Sequence, residues 1–231
     1  SENENYKDLV NSLSGISQSN GVEFGLGLIG DTNNVFGFVQ YIWPDSDAST
    51  KNISRGEFFT RVDGVQLTTG NYIELLFGDN STYTLGMATV SNGVISDSAK
   101  EVTLTKIENQ VEDPILVAKT LDVNGTKVAY LMYNRFLSSF NEDLNDAFAT
   151  FKAEGATELV LDMRYNPGGS VNTSRLLASM IYGTNTSDVY IKQQWNDKIQ
   201  AQLSEDFLTD YFANSTGSSP INSLNLSRVF V

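Results

Sequence analysis

The sequence predicts a mixed fold, α+β in its first half and α/β in its second. Three observations predict it. Between residues 22 and 107, short apolar runs alternate with glycine- and asparagine-rich turns, with room for one helix. After residue 127, strand and helix patterns alternate as β-α-β-α. Glu158-Leu159-Val160-Leu161-Asp162-Met163 is a nearly continuous apolar run, the pattern of a strand buried on both faces.

The elements follow in order. Tyr6, Leu9, Val10 and Leu13 have helical spacing, so residues 1–21 read as a short helical remnant ending in the polar stretch from Ser14 to Gly21. Val22 to Gly30 is a strand broken by glycines, Asp31 to Asn34 is turn chemistry, and Val35 to Trp43 returns as a strand. Phe58 to Val62 is a further strand, closed by the tight turn Asp63-Gly64. Thr69 is placed to cap a helix with Tyr72, Leu75 and Leu76 inward and Gly78 at its end. Ser81 to Val90 and Glu101 to Ile107 pair around Asn92-Gly93, and residues 108–126 read as a connector. A strand begins at Lys127, with Val128, Tyr130 and Met132 on one face. Ser139 and Glu142 form a capping box for a helix facing inward through Phe140, Leu144, Ala147, Phe148 and Phe151 and closed by Gly155. Ser170 opens the next helix, with Leu176, Leu177, Met180 and Ile181 inward. A strand at Val189 to Gln193 and a helical stretch around Leu203 to Phe212 follow. A last strand starts at Arg228-Val229-Phe230-Val231 and stops with the sequence, so the expectation is a chain cut inside its core.

Composition narrows the functions. The 231 residues are 40% hydrophobic and 11% aromatic, enough to bury roughly 70% of the unfolded surface. The net charge of −13 argues against nucleic acid and anionic membrane surfaces, which need a positive footprint. With no cysteine there is no disulfide or thiolate site, and with no histidine there is no Ser-His-Asp triad and no imidazole-bound zinc. A base working near neutral pH must then be a carboxylate, a lysine, or a group outside these residues. No run of 18 apolar residues is present to span a bilayer. The polar start, Ser1 to Asn5, is not a signal peptide.

Two places could carry chemistry. Asn166-Pro167-Gly168-Gly169-Ser170 turns from the carboxyl end of a strand into a helix. Paired glycines leave backbone N–H groups uncovered, and the helix start favours an anion, either a phosphate or the oxyanion of an acyl intermediate. A plain tight turn is the bland alternative. In Phe24-Gly25-Leu26-Gly27-Leu28, glycines alternate with apolar residues, which suits a strand edge that captures a peptide and its carboxylate; a glycine-softened strand is the bland alternative. The acids Glu142, Asp143, Asp188, Asp197, Glu205 and Asp206 read as solvated surface, and no metal site is expected. Asn52-Ile53-Ser54 and Asn80-Ser81-Thr82 read as surface loops.

These motifs resemble a known family. Gly25-Leu26-Gly27, the strand ending Trp43-Pro44, and Arg55 to Val65 look like the PDZ-like domain of the carboxy-terminal processing peptidases, the tail-specific proteases. Ile53 falls near that domain's usual leucine, Glu57 replaces its aspartate, and Lys51-Asn52 stand where it has Ala-Gly. Lys127 to Phe136 resembles a family strand, and Leu159 to Gly169 is similar to its most specific segment, L-I-(L/I)-D-L-R-x-N-P-G-G. The resemblance implies a PDZ-like peptide-binding domain at 22–107. It also implies the first part of a crotonase-like, ClpP-like serine peptidase core at 108–231. It assigns oxyanion-hole N–H groups to Gly168 or Gly169 and peptide binding to Gly25, Leu26, Gly27 and Leu28. It implies no cofactor, a protein C-terminus as partner, and an extracytoplasmic bacterial setting, periplasmic or lipid-anchored. The family uses a Ser–Lys dyad, here expected beyond Val231, so these residues alone are expected to be inactive. Ser227 precedes its strand, and Lys127, Lys152, Lys192 and Lys198 lie where nothing suggests burial. A non-catalytic peptide-binding protein is the alternative.

Overall fold

A computed structural model describes residues 10–11 and 14–231. The chain divides into two compact units, Ser1–Asp113 and Pro114–Val231. Of the expected N-terminal helix, only Val10 and Asn11 are among the described residues.

In the first unit, β1 (Ile16–Ser19) pairs antiparallel with β8 (Ile107–Val111). Both segments are too polar to read as strands from sequence; cross-pairing satisfies their backbone groups instead of side-chain burial. The main sheet runs β2-β3-β4-β6-β7, from β2 (Val22–Leu28), β3 (Val35–Ile42), β4 (Phe58–Val62), β6 (Thr82–Ser91) and β7 (Val94–Thr105), with β5 (Val65–Gln66) on β4. The β6–β7 hairpin closes through Asn92 (φ 51°) and Gly93 (φ 78°), the paired positive φ values that match strand twist. Helix α1 (Tyr72–Phe77) does not take its cap from Thr69. Asn71 precedes it and spends its side chain on the loop, accepting from Thr68 N–H and donating to Gln66 O. Gly78 is extended rather than left-handed, and glycine is needed there because a Cβ would sit 2.3 Å from the Glu74 carbonyl oxygen. Phe59, Val62, Leu67, Leu76, Leu85 and Leu104 anchor the core between sheet and helix.

The second unit is built on β9 (Ile115–Val123), β10 (Thr126–Tyr133) and β11 (Glu158–Asp162). Strands β9 and β10 are antiparallel, whereas β10 and β11 are parallel, joined by α2 (Asn141–Ala153) as their crossover. The expected connector is therefore largely strand: β9 pairs along the length of β10, with Leu121 opposite Val128. Helix α3 (Val171–Tyr182) follows β11. Ala129, Leu131 and Tyr133 of β10, with Leu159 and Leu161 of β11, pack against the helices. Val128, Tyr130 and Val160 lie on the other, half-buried face. Along β11, Leu159, Leu161 and Asp162 are buried and Glu158 and Val160 half-buried, so no residue of the strand is exposed.

The expected capping box on α2 does not form. A 3-10 turn, Ser138–Phe140, leads into the helix, and Glu142 accepts a hydrogen bond from Thr216 instead of turning back to Ser139. Ser170 does cap α3, its Oγ accepting from Thr173 N–H at 3.2 Å. A hairpin of β12 (Val189–Lys192) and β13 (Thr209–Tyr211) encloses the short helices α4 (Asp197–Gln200) and α5 (Glu205–Leu208). Phe230 bridges to Val160 in parallel, donating N–H to Leu159 O at 3.0 Å and accepting from Leu161 N–H at 2.7 Å. The final segment thus joins the free side of β11, and Arg228 pairs with Glu158 at 2.8 Å to fix its register.

Candidate functional site

The glycine turn lies at the carboxyl end of β11. Asn166 builds it: its Nδ2 donates to the Tyr133 carbonyl at 2.9 Å, and its Oδ1 accepts from Gly168 N–H at 2.8 Å. Phe136, in the segment after β10, holds the far side. It donates N–H to Gly168 O at 3.0 Å and accepts from Ser170 N–H at 2.9 Å, a parallel bridge across Gly169. Both glycines lie at positive φ, Gly168 at 108° and Gly169 at 138°. A Cβ on Gly169 would sit 2.3 Å from the Phe136 carbonyl oxygen, so the bridge and a side chain cannot coexist.

The two amides differ. Gly168 N–H is used by Asn166. Gly169 is exposed, and its N–H has no hydrogen-bond partner among the described residues. A rigidly held amide open to solvent at the start of α3 is a donor ready for a negatively charged oxygen. Sequence reasoning named both glycines but missed Asn166 and Phe136. Asn166 carried a signal, since asparagine commonly bonds the backbone two residues on in a turn. Phe136 acts through its backbone alone and carried none.

Asp162 ends β11 just before this turn. Burial pushes its carboxyl up, but Arg164 and the Tyr130 hydroxyl outweigh that and hold it below the usual carboxylate range. Arg164 grips both oxygens, Nε to Oδ1 at 2.9 Å and Nη2 to Oδ2 at 2.8 Å, and Tyr130 donates to Oδ2 at 2.7 Å. With the folded-state pKa below the unfolded one, the stabilisation is present above the ordinary value of about 3.9 and is lost as pH falls through the depressed value. Asp162→Asn is therefore expected to lower the thermal midpoint at neutral pH, with the gap from wild type narrowing below about pH 4. A gap unchanged across that range would refute the assignment.

The second candidate place is the edge of β2. Val35 donates its N–H away from β2, to Leu67 O at 2.8 Å, and Ile29 donates to Asn34 O at 2.9 Å. Bonded and non-bonded pairs alternate in an antiparallel ladder. Leu28–Val35 and Leu26–Gly37 are thus non-bonded pairs, and the backbone groups of Leu26 and Leu28 point out from the edge. Among the described residues that edge is unpaired. Beside it lies a cavity of about 240 Å³ lined by Leu26, Gly27, Leu28, Val35, Thr69 and Tyr72. Phe77 of α1 reaches Phe24 at 5.8 Å between ring centroids, carrying the apolar lining along the strand. Tyr72 was legible as a core residue of the helix, not as the wall of a cavity.

Asp143, Asp197, Glu205 and Asp206 are exposed, as are Ser227 and the lysines Lys127, Lys152, Lys192 and Lys198. Lys127 and Lys192 pair with Asp122 at 3.0 Å and Glu205 at 2.9 Å. No helix is long and apolar enough to cross a membrane among the described residues.

Residues 127–218, which include β10 from its second residue, β11 and the glycine turn, match the family model for Peptidase family S41. The chain is similar to a solved Bacteroides fragilis NCTC 9343 structure described as an S41 protease, with 27% identity and a TM-score of 0.69 over 96% of this chain and 60% of that one. The chain thus spans about 60% of that relative's length. A photosystem II D1 C-terminal processing protease is a looser match, with 20% identity and a TM-score of 0.46 over 73% of this chain and 45% of that one. No curated protein sequence matches the chain significantly. The family match over residues 127–218, which takes in the glycine turn, and the fold shared along nearly the whole chain make it similar to proteins of peptidase family S41, a family of serine-type peptidases.

Proposed function

We propose that these residues form the peptide-capturing and oxyanion-binding parts of a serine endopeptidase that processes protein C-termini. The observation that carries this is the open Gly169 N–H, locked in place by Phe136 and Asn166. In acyl transfer, the attacked carbonyl oxygen becomes an oxyanion, and a fixed N–H aimed at it lowers the barrier. Gly169 is that donor; Gly168 supports it by engaging Asn166. A serine hydroxyl attacks the carbonyl carbon, and a lysine deprotonated by burial takes the hydroxyl proton. The resemblance places both dyad members in polypeptide beyond Val231; Lys127, Lys152, Lys192 and Lys198 are exposed.

The first unit acts as a PDZ-like domain, with the β2 edge as its docking strand. The two edges of its sheet contrast. Strand β7 carries Asp97, Lys100 and Glu101 and a register shift, features that discourage added strands. Strand β2 has no charge from Phe24 to Leu28 and borders an apolar cavity, features that invite a peptide. By resemblance the setting is bacterial and extracytoplasmic.

The test is hydrolysis of a fluorogenic peptide. The 231 residues alone are expected to show no turnover. In a longer polypeptide that supplies serine and lysine, Gly169→Pro removes the N–H and, by forcing φ away from 138°, also displaces the Phe136 bridge, so turnover is expected to fall by at least roughly 10²–10³. Robust hydrolysis by the 231 residues themselves would overturn the placement of the dyad. Full activity of the proline variant would overturn the role of Gly169. A non-catalytic peptide-binding protein is the reading that the β2 groove would support by itself.

A further inference from the structure

We propose that Phe36 and Phe38 are positioning residues for peptide capture: their rings, laid over Gly27 and Gly25, stiffen the docking edge of β2. The proposal rests on the peptide-capture reading above.

On β3, Val35, Gly37 and Val39 face the core, so Phe36 and Phe38 point to the opposite face of the sheet, where they are half-buried. Each stands directly across from a glycine, Phe36 from Gly27 and Phe38 from Gly25. A Cβ on Gly25 would lie 2.3 Å from Phe38 Cζ, and one on Gly27 would lie 2.8 Å from Phe36 Cζ, so each ring fills the space a side chain would take. Phe58 extends the layer, 5.9 Å from Phe36 between ring centroids.

Glycine weakens a strand by entropy and by offering nothing to pack, and an edge strand has a neighbour on one side only. A cross-strand aromatic ring restores the missing contact. Leu26 and Leu28 alternate with these glycines, direct their backbone groups outward, and line the cavity. The rings therefore fix, from behind, the strand that an incoming peptide must pair with. A strand ordered in advance saves the incoming peptide the entropy of ordering it. The cavity lining is mainly Leu26, Leu28, Val35 and Tyr72, which suits an extended peptide with an aliphatic last side chain.

The probe is a fluorescein-labelled decapeptide ending in Ala-Leu with a free carboxylate, followed by fluorescence anisotropy, with its C-terminal amide as control. Wild type is expected to bind the carboxylate form more tightly. Phe36→Ala and Phe38→Ala are each expected to weaken binding about tenfold through lost preorganisation, while Phe36→Tyr and Phe38→Tyr stay within about twofold. Circular dichroism melts confirm that each variant is folded. If an alanine variant does not fold, Phe36→Leu or Phe38→Leu replaces it, keeping bulk without the flat ring, and is expected to lose about threefold. Wild type that binds neither peptide sinks the capture reading itself. Wild type that binds while the alanine or leucine variants bind equally well sinks only the role of the rings, as do tyrosine variants as weak as alanine ones.

Discussion

Gly169→Ala is expected to lower the unfolding free energy by about 2–5 kcal/mol, and Gly168→Ala by about 1–3 kcal/mol. Both replacements place an L-residue at positive φ, 138° and 108°. They differ in what the new methyl meets. At Gly168 it would meet open space, so only backbone strain is felt. At Gly169 it would meet the Phe136 carbonyl oxygen at 2.3 Å, the atom that accepts from Ser170 N–H. Relief requires moving Phe136 off the turn, which breaks the bridge that joins the end of β10 to the start of α3. Urea unfolding of the two variants beside wild type measures the difference. Equal losses would show that the bridge yields freely, and the rigidity claimed for the Gly169 amide would go with it.

Phe148→Ala is expected to cost about 3–5 kcal/mol, through lost apolar contact and the cavity left behind. Phe148 is fully buried on α2, its ring edge-on to Phe151 at 5.6 Å and within the cluster that holds β10 and β11 to the helices. The same crossover presents the carboxyl ends of both strands to the glycine turn. Loss of Phe148 should therefore also increase hydrogen exchange at the amides of the Phe136–Gly169 bridge. Val94→Ala, at an exposed position on β7, is the control and should stay within about 0.5 kcal/mol. A Phe148→Ala midpoint close to that of the control would mean that the helix layer does not carry the second unit.

The inward face of α2, the Ser170 cap and the Asn92-Gly93 hairpin were legible because each depends on neighbours close in sequence. The β1–β8 pair and β9 were not. Their strands owe their existence to distant partners, Val111 across from Ile16 and Lys119 across from Tyr130. The capping box failed for the same reason: Glu142 found Thr216, far along the chain, a better partner than its neighbour. The connector reading failed because a polar segment such as Ile107–Val111 carries no apolar alternation.

By itself the sequence determined the chemistry available. No histidine and no cysteine left a lysine, a carboxylate or an outside group as base, and Asn166 to Ser170 set a turn that bares amides at a helix start. Only the tertiary structure decided which amide is open, because Gly168 is claimed by the Asn166 side chain while Gly169 is held by the chain after β10. Only it showed that Gly25 and Gly27 lie under aromatic rings on an edge unpaired among the described residues. Local bonding and composition act through neighbours in sequence; the choice between two adjacent amides, or between the faces of one strand, is made by atoms that only folding brings near.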